Sequence, residues 1–535
     1  MTAFGTLNWS ILISYIILNL LLGWALSKRV TTAEDFYLGR RTTPWWAIGI
    51  SVIATYVSAL SFLGGPAWAY SESLAVVAIH LNYPLVIIVV ITLFLPFFFN
   101  SGVASIYDYM ERRFGTTSRV VISAVFLISQ AITSATILYA TSLVIEFITG
   151  IDVRIAIVIV TIVALIYTMM GGITAVIWTD VIQAGVLFVG AGIIFYGVVQ
   201  QLPMPFGEFM SSLSDQGKTQ ALDFSFDTTK TATVWSGVIA MTIFHITVYG
   251  ANQMMVQRTL AARSIGDAKK SFLLMGYAAF FIYFLFFLLG IMFYGYYEGR
   301  EFENGNTIIL EFAANYGFPG LMGLIAAAIV AASMSSLDSA FNSLATISTV
   351  DYYQKFFRPN ESAEHYLNVT RGFTVFWSII IIVPAILFAG SEGSVLELLS
   401  KIGSYFVGAK LSMYGLGFFS KQATERGLLV GVAAGFIMIW WLEIYTSIAW
   451  PWYCVIGGSV NIVVTLAASR LLDGRQTEWS DYSIPGQKRL FKEQGLAEKD
   501  GNWYRVPGKI DRASYGLIVF FVATLVFLVL FERAF

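Results

Sequence analysis

Three charged side chains lie inside long apolar stretches of this sequence, and their types indicate where its chemistry takes place. Asp180 and Asp338 are carboxylates in two such stretches, and Lys410 lies near the middle of a third. A charge in an apolar medium costs several kcal/mol unless it is paired, so each is expected to have a partner or a ligand. Hard oxygen ligands without clusters of His and Cys suit Na⁺ or H⁺ rather than a transition metal.

The stretch around Asp338 is also rich in hydroxyl groups. One helical face, built from positions i, i+3, i+4 and i+7, carries Ala332, Ser335, Ser336 and Ser339. A lone serine in an apolar helix commonly bonds a carbonyl group of its own helix. That explanation does not extend to the carboxylate of Asp338, for which a partner is expected.

A Gly64-Gly65-Pro66 sequence interrupts another apolar stretch. Proline removes a backbone donor and glycine loosens the helix, so carbonyl groups are freed at this point. One interpretation is a simple proline kink. The other is a discontinuous helix whose freed carbonyls bind ions near the middle of a membrane.

The elements that position these groups follow from composition. Of the 535 residues, 57% are hydrophobic and only 12% are charged, against about 25% charged in soluble domains. This excludes a soluble protein, a disordered chain and a nucleic-acid binder, since 32 basic residues are balanced by 33 acidic ones. The single cysteine excludes an internal disulfide. The remaining class is an all-α polytopic membrane protein.

Fourteen stretches are long enough to cross a bilayer, which takes about 20 apolar residues per helix. With the amino terminus outside, most of the 32 Lys and Arg residues fall in connections on the inner side, which supports an out/out topology. Asp180, near the start of its span, is equally compatible with a solvated position at the membrane edge. The polar inner segment 472–512 is predicted to carry short amphipathic helices.

Lys410 has two interpretations. It is too deep in its span to reach water, whereas Lys401 in the same span is close enough to do so. Lys410 therefore either neutralises a carboxylate within the membrane, which is slightly favoured, or attracts an anionic substrate. His80 and His245 also lie within spans, where a lone histidine is usually a satisfied hydrogen-bonding group.

Three long segments resemble hallmark sequences of the sodium:solute symporters, a family that includes sodium–glucose and sodium–sialic acid cotransporters. The segments are GGITAVIWTDVIQ at 171–183, NQMMVQRTLAARS at 252–264 and MSSLDSAFNS at 334–343. The resemblance runs from about residue 9 to 470 and implies a leucine-transporter-type fold. That fold is an inverted repeat of five plus five helices, here with one extra amino-terminal and three extra carboxy-terminal helices.

On this resemblance the chain divides into seven parts. They are an extra helix and inner loop at 1–44, the first repeat at 45–200, an outer loop at 201–231, the second repeat at 232–419, two helices at 420–471, an inner loop at 472–512 and a last helix at 513–535. Substrate and ions would bind between the repeats at the middle of the membrane.

The resemblance also implies two cation sites. The main sodium site would use the carbonyls of Ala54, Val57 and Ala332 and the hydroxyls of Ser335 and Ser336. A second site, present in some members, would use Asp180, Ser335 and Ser339. Asp338 takes a position where other members can have Ser or Thr, and it would strengthen this second site or hold a proton.

The substrate positions carried over from the family are Tyr56, Ser58, Ser61, His80, Tyr83, Thr133 and His245, together with Lys410. Sialic acid members have arginine at the position of Thr133, and sugar members have Asn, Gln and Glu at positions held here by Tyr56 or His245, Ser61 and His80. Resembling sequences have an apolar residue at the position of Lys410. Neither substrate signature is therefore complete.

The sequence predicts a sodium-coupled symporter that imports a small polar solute, first a sugar or polyol. The alternatives are uptake of an organic anion such as a sialic acid or monocarboxylate, a proton-coupled carrier using Asp180 and Asp338, and a transporter-like sensor. An enzyme is not expected, because His80 and His245 form no nucleophile–base pair by spacing. The expected location is the plasma membrane, and the expected functional unit is a monomer.

Overall fold

The computed structural model of the chain describes residues 4–27, 41–101, 103, 105–315, 318–389 and 394–535. The α-helices are α1 Thr6–Ser27, α2 Trp45–Tyr56, α3 Gly65–Ser71, α4 Tyr83–Val89, α5 Leu95–Ser101, α6 Ile106–Arg113, α7 Thr116–Thr149, α8 Val153–Gln200, α9 Phe206–Asp215, α10 Met241–Gly250, α11 Gln253–Leu260, α12 Ile265–Tyr296, α13 Ile308–Asn315, α14 Leu321–Ile347, α15 Ala363–Phe388, α16 Val395–Phe419, α17 Glu425–Tyr445, α18 Pro451–Asp473, α19 Ile484–Glu493 and α20 Arg512–Ala534. Tighter or wider helical turns extend several of them, at Leu60–Gly64, Leu74–His80, Val90–Phe94, Ser236–Ala240, Gly305–Thr307 and Ser348–Phe357.

The architecture is that of a helical membrane protein. Among the described residues, nine helices are long and apolar enough to cross a bilayer, or ten if one bent pair counts as a span. Three shorter apolar helices add to these, at Thr6–Leu22, Val153–Ile166 and Ser236–Gly250. The predicted class is confirmed, while the count of fourteen spans and the five-plus-five repeat stay predictions.

One predicted connection is helical instead. The sequence separates a span at 153–170 from another at 175–200, but helical hydrogen bonding continues through α8 from Val153 to Gln200. Glycine is tolerated inside a helix at a cost of about 1 kcal/mol relative to alanine. The Gly171-Gly172 pair therefore does not end the helical backbone.

The first broken helix is interrupted earlier than its sequence suggests. The axes of α2 and the segment Leu60–Ser71 differ by 57°, and the break falls at Val57 and Ser58, where Val57 leaves the helical region with ψ of 79°. The predicted break at Gly64-Gly65-Pro66 is wrong, because these residues are helical. Gly64 instead permits close packing, since a Cβ there would lie 2.6 Å from the backbone nitrogen of Leu396.

A second interrupted helix faces the first. α10 ends at Gly250, and the chain turns at Ala251 and Asn252 before α11 begins. The Asn252 side chain accepts from the backbone N–H of Met254, which caps α11, and its Nδ2 donates to the Tyr56 hydroxyl at 3.1 Å. The two interruptions are thus joined directly by a hydrogen bond.

The segment 472–512 carries α19 and a short antiparallel hairpin, Lys499–Asp500 with Trp503–Tyr504. The helix buries Ile484 and Phe491 and exposes Lys488, Arg489 and Lys492, as an amphipathic helix does. The segment is held to the membrane helices by a buried ion pair between Lys269 and Asp511, at 2.5 Å. Gly508 also donates its N–H to the Thr92 carbonyl at 2.8 Å.

Replacing Gly64 with alanine is expected to destabilise the protein by about 1–3 kcal/mol, the usual cost of overpacking. The added Cβ would clash with backbone at the start of α16, which side-chain rotation does not relieve. Thermal unfolding of the detergent-solubilised protein measures the effect.

The matched control is Gly185→Ala. Gly185 is an exposed helical glycine with nothing within 4 Å of a built Cβ, so alanine is expected to leave the melting temperature unchanged or raise it. Equal melting temperatures for the Gly64 variant and the wild type would contradict the packing role.

Candidate binding site

The residues of the predicted sodium site meet where α2 ends against α14. The Ser335 hydroxyl lies 2.9 Å from the carbonyl oxygen atoms of both Ala54 and Ala332. The Ser336 hydroxyl lies 2.9 Å from the Thr55 carbonyl. Val57, the remaining predicted ligand, lies at the end of α2 itself.

These groups form a donor set of neutral oxygen atoms from two helices. Unwound backbone carbonyls with nearby hydroxyls are the groups that hold Na⁺ in transporters with broken helices. The local sequence explains the arrangement, because Ser335 and Ser336 point from one face of α14 toward the last turn of α2. The residues present therefore fit a sodium ion as cargo.

Asp180 is not at a solvated edge. Its side chain is fully buried, and its Oδ2 lies 3.1 Å from Nη2 of Arg258, which is also fully buried. The Ser51 hydroxyl donates to the same oxygen at 2.5 Å. The solvated interpretation is wrong, because α2, α11 and α14 cover this part of α8 and supply the partners themselves.

Arg258 also contacts Ser339 of the predicted second cation site. Its Nη2 donates to the Ser339 hydroxyl at 2.7 Å, and its Nε donates to Ser51 at 2.8 Å. Asp338 is fully buried on the same helix, and its Oδ1 accepts the backbone N–H of Ser339 at 2.6 Å. The arginine was part of a recognised motif, but spacing gave no sign that it pairs with Asp180, 78 residues away.

A cavity lies beside the predicted sodium site, between the broken helices and α7, α12 and α16. Seven of the eight predicted substrate residues line it: Tyr56, Ser58, His80, Tyr83, Thr133, His245 and Lys410. Ser61 is the exception: it does not line the cavity, but its hydroxyl lies 3.3 Å from the carbonyl of Tyr56 and 3.4 Å from the hydroxyl of Tyr283, which both do. Thr55 and Ser336 also line the cavity, so it borders the predicted sodium site.

One wall of the cavity is a stack of imidazole and phenol rings. The ring of His80 stacks on Tyr283 with centroids 3.6 Å apart, and Tyr83 stacks on His245 at 4.7 Å. Nδ1 of His80 lies 3.0 Å from the Tyr83 hydroxyl, and Nδ1 of His245 lies 2.6 Å from the Asn82 side chain. These contacts orient both imidazoles.

Lys410 lies at another wall of the cavity. Its Nζ donates to the Ser129 hydroxyl at 2.6 Å and lies 5.5 Å from the ring centre of Phe126 and 6.0 Å from that of Phe406. Among the residues described, no carboxylate lies within 4.0 Å of this nitrogen. The slightly favoured pairing with a membrane carboxylate is therefore not found in this part of the chain. Lys401 pairs with Glu443 at 2.9 Å.

The cavity also contains residues that the sequence analysis missed. Ser129 and Gln130 lie four and three residues before Thr133 on α7, so helical spacing places all three on one face. Others include Tyr249, Asn252, Tyr283 and Phe406. Ser129 and Gln130 had a sequence signal in their helical spacing, and Asn252 had one as the first residue of the segment 252–264, whereas the aromatic residues are typical of any membrane helix.

This fold and site define a sodium-coupled transporter with a broken-helix core. The profile of the sodium:solute symporter family matches residues 36–435, and the chain belongs to that family. Its sodium coupling and its membrane-spanning, non-enzymatic character follow from this membership.

Two sodium-coupled transporters are similar to this chain over most of its length. The chain is 29% identical to the sodium/sialic acid symporter SiaT of Proteus mirabilis over 492 residues, 89% of this chain and 98% of that protein. It is 30% identical to a sodium/glucose cotransporter of Vibrio parahaemolyticus over 435 residues, 75% of this chain and 78% of that protein.

Solved structures of two transporters also superpose on this chain. The substrate-bound outward-open state of a sodium-coupled sialic acid symporter superposes with a TM-score of 0.81 at 29% identity, covering 89% of this chain and all of that one. A nucleobase-cation-symport-1 family transporter in a closed conformation shares the fold alone, with a TM-score of 0.51 at 13% identity.

Replacing Ser336 with alanine is expected to weaken Na⁺ binding about 10- to 100-fold, since a hydrogen-bonding contact to a charged group contributes about 1.5–3 kcal/mol. The measurement is the Na⁺ concentration that half-maximally raises the melting temperature of the purified protein, because ligands stabilise the state that they bind.

Ser142→Ala is the control, because Ser142 is also buried in a membrane helix but its hydroxyl bonds the Leu138 carbonyl of that same helix. Unchanged Na⁺ half-saturation in the Ser336 variant would contradict the predicted site.

Proposed function

We propose that this symporter couples Na⁺ entry to uptake of a small organic anion that carries one carboxylate, such as a sialic acid or a monocarboxylate. The observation that carries this proposal is the ammonium group of Lys410. It lines the cavity and contacts the Ser129 hydroxyl, and the described residues hold no carboxylate within 4.0 Å of it.

A cation away from bulk water gains little from one neutral hydroxyl, whereas a carboxylate within contact distance stabilises it by several kcal/mol even at an effective dielectric constant of about 20. A neutral sugar would leave the ammonium without a counter-charge. The lysine thus favours an anion over the sugar or polyol that the sequence first suggested.

The comparison with sialic acid symporters supports an anionic solute. In the family pattern those proteins hold arginine at the position of Thr133, and Thr133 lies on the same face of α7 as Ser129. In this chain the positive charge comes from α16 instead and reaches α7 through the Ser129 hydroxyl. A different helix would therefore supply the anchor for the carboxylate.

The remaining walls fit the rest of such a solute. His80 and His245 are oriented by Tyr83 and Asn82 through their Nδ1 atoms, which leaves each ring's other nitrogen for a ligand hydroxyl or carbonyl. Nε2 of His80 is buried and has no partner among the described residues. A hydroxylated or keto carboxylate would use both the lysine and this imidazole.

Na⁺ binding and solute binding would be coupled because residues at the predicted sodium site also line the cavity. Thr55 and Ser336 contribute to the cavity, and the Ser336 hydroxyl contacts the Thr55 carbonyl at the predicted sodium site. An ion that draws α2 and α14 together also fixes one side of the solute cavity, so each ligand raises the affinity for the other. The predicted plasma-membrane location, outward termini and functional monomer belong to the same proposal.

Proteoliposomes loaded with K⁺ and diluted into Na⁺ medium test the substrate class. We expect Na⁺-dependent uptake of a sialic acid or a short monocarboxylate and no uptake of glucose or inositol. Uptake of a neutral sugar without any carboxylate uptake would overturn the proposal. Uptake driven by a pH gradient without Na⁺ would instead support the proton-coupled alternative.

Replacing Lys410 with methionine is expected to raise the KM for the carboxylate about 10- to 100-fold, because a charge-assisted contact contributes about 1.5–3 kcal/mol. Lys410→Arg retains the charge and is expected to retain part of the affinity. Initial uptake rates over a range of solute concentrations measure both effects.

Lys401→Met is the matched control. It lies on the same helix but is partly exposed and paired with Glu443, away from the cavity, so KM is expected to stay unchanged. A Lys410→Met variant with wild-type KM for every transported carboxylate would show that this lysine is not the anchor.

A further inference from the structure

We infer that a groove at one end of the helices binds the headgroup of a zwitterionic phospholipid, phosphatidylethanolamine. The groove has a volume of about 620 Å³ and lies between the end of α6, the loop that joins α16 to α17, and the chain that follows α18. These segments belong to the side that the basic residues predict to be the inner one. The groove shares no residue with the solute cavity, so the inference does not depend on which solute is carried.

The charges that line the groove sum to zero. Three basic and three acidic residues contribute them: Arg113, Lys421, Arg426, Glu425, Asp473 and Glu478. The carboxylate of Glu425 accepts the backbone N–H of Ser118 at 2.8 Å. Asp473 accepts the Thr424 hydroxyl at 2.6 Å and lies 3.7 Å from Nη1 of Arg426. These contacts leave Arg113, Lys421 and Glu478 as the charges open to a ligand.

Arg113 and Lys421 suit a phosphate group. Nε and Nη2 of Arg113 donate to the carbonyls of Gly417 and Ser420, at 3.2 and 2.6 Å, which fixes the guanidinium. None of the hydrogen bonds among the described residues uses its Nη1. Lys421 is exposed, and no carboxylate of the described residues lies within 4.0 Å of its Nζ. A guanidinium and an ammonium group at one site bind phosphate through charge-assisted hydrogen bonds.

Glu478 gives the groove a preference for a zwitterion over an anion. It is exposed, and no basic group lies within 4.0 Å of its carboxylate in the part of the chain that the structure describes. Free phosphate or an anionic headgroup offers this carboxylate no partner. The ammonium group of phosphatidylethanolamine is joined to its phosphate by an ethylene group and has three N–H donors for such a carboxylate.

Exposed apolar side chains flank the groove and offer a surface to the acyl chains of a lipid. Leu471 and Leu472 lie at the end of α18, and Leu471 is 85% exposed. Phe419, the last residue of α16, is exposed as well. Trp479 lines the groove itself, and tryptophan is enriched at the level of lipid headgroups. A membrane lipid therefore fits this groove better than a soluble zwitterion.

Native mass spectrometry of the purified, delipidated chain tests the site with phosphatidylethanolamine, phosphatidylcholine and phosphatidylglycerol that carry identical acyl chains. We expect phosphatidylethanolamine to bind about 10-fold more tightly than phosphatidylcholine, whose methylated ammonium has no N–H to donate to Glu478. Equal affinities, or tighter binding of phosphatidylglycerol, would overturn the inference. Inorganic phosphate is expected not to displace the bound lipid, and its binding in place of the lipid would show a phosphate site instead.

Two variants separate the two ends of the headgroup. Glu478→Gln removes an exposed charge and is expected to abolish the preference for phosphatidylethanolamine over phosphatidylcholine. Lys421→Met is expected to weaken both lipids equally, because both carry the phosphate. A Glu478→Gln variant that keeps the wild-type preference would contradict the assignment.

The matched control is Glu364→Gln. Glu364 is an exposed acid in the first turn of α15 and does not line the groove, so the lipid preference is expected to stay unchanged. Failure of the protein to transport any carboxylate would leave these lipid affinities unaffected, so this inference and the proposed function fail separately.

Discussion

A charge inside a membrane protein must find its partner within the protein, and this constraint organises the centre of this molecule. Asp180 and Arg258 are both fully buried and form an ion pair at 3.1 Å through Oδ2 of Asp180, while Oδ1 has no hydrogen-bond partner among the described residues. Around them Ser51 and Ser339 bring α2 and α14 to the same point. A buried charge left alone is far costlier than a surface one, so the ion pair and its two hydroxyl contacts favour this arrangement of the four helices.

The same constraint applies to the backbone where helices are interrupted. At the end of α2, the Ala54 and Thr55 carbonyls are contacted by the hydroxyls of Ser335 and Ser336. At the other interruption, Asn252 caps α11 and reaches the Tyr56 hydroxyl. Irregular backbone is tolerated at membrane depth only where it lines a cavity or is covered by protein. The two interruptions consequently lie beside the solute cavity rather than at the lipid.

Lys410 is the contrasting case, because it is placed in the cavity with a hydroxyl and two aromatic rings but no carboxylate within reach among the described residues. Under the proposed function, this charge is the anchor of an anionic solute. The sequence located this lysine but could not choose between a pair and a ligand, since the choice depends on which side chains of other helices lie within 4 Å. The sequence likewise singled out Asp180 but did not show that Arg258 is its partner.

The sequence by itself determined the membrane class, the sodium-coupled family and seven of the residues that line the cavity, because apolar length, helical periodicity and long motifs are local properties of the chain. It placed the first break at Gly64-Gly65-Pro66, whereas the tertiary structure moved it to Val57 and Ser58 and used Gly64 for contact with α16. Only the packed structure decided how buried charges pair, because Asp180 and Arg258 are distant in sequence and their separation in space depends on every helix between them.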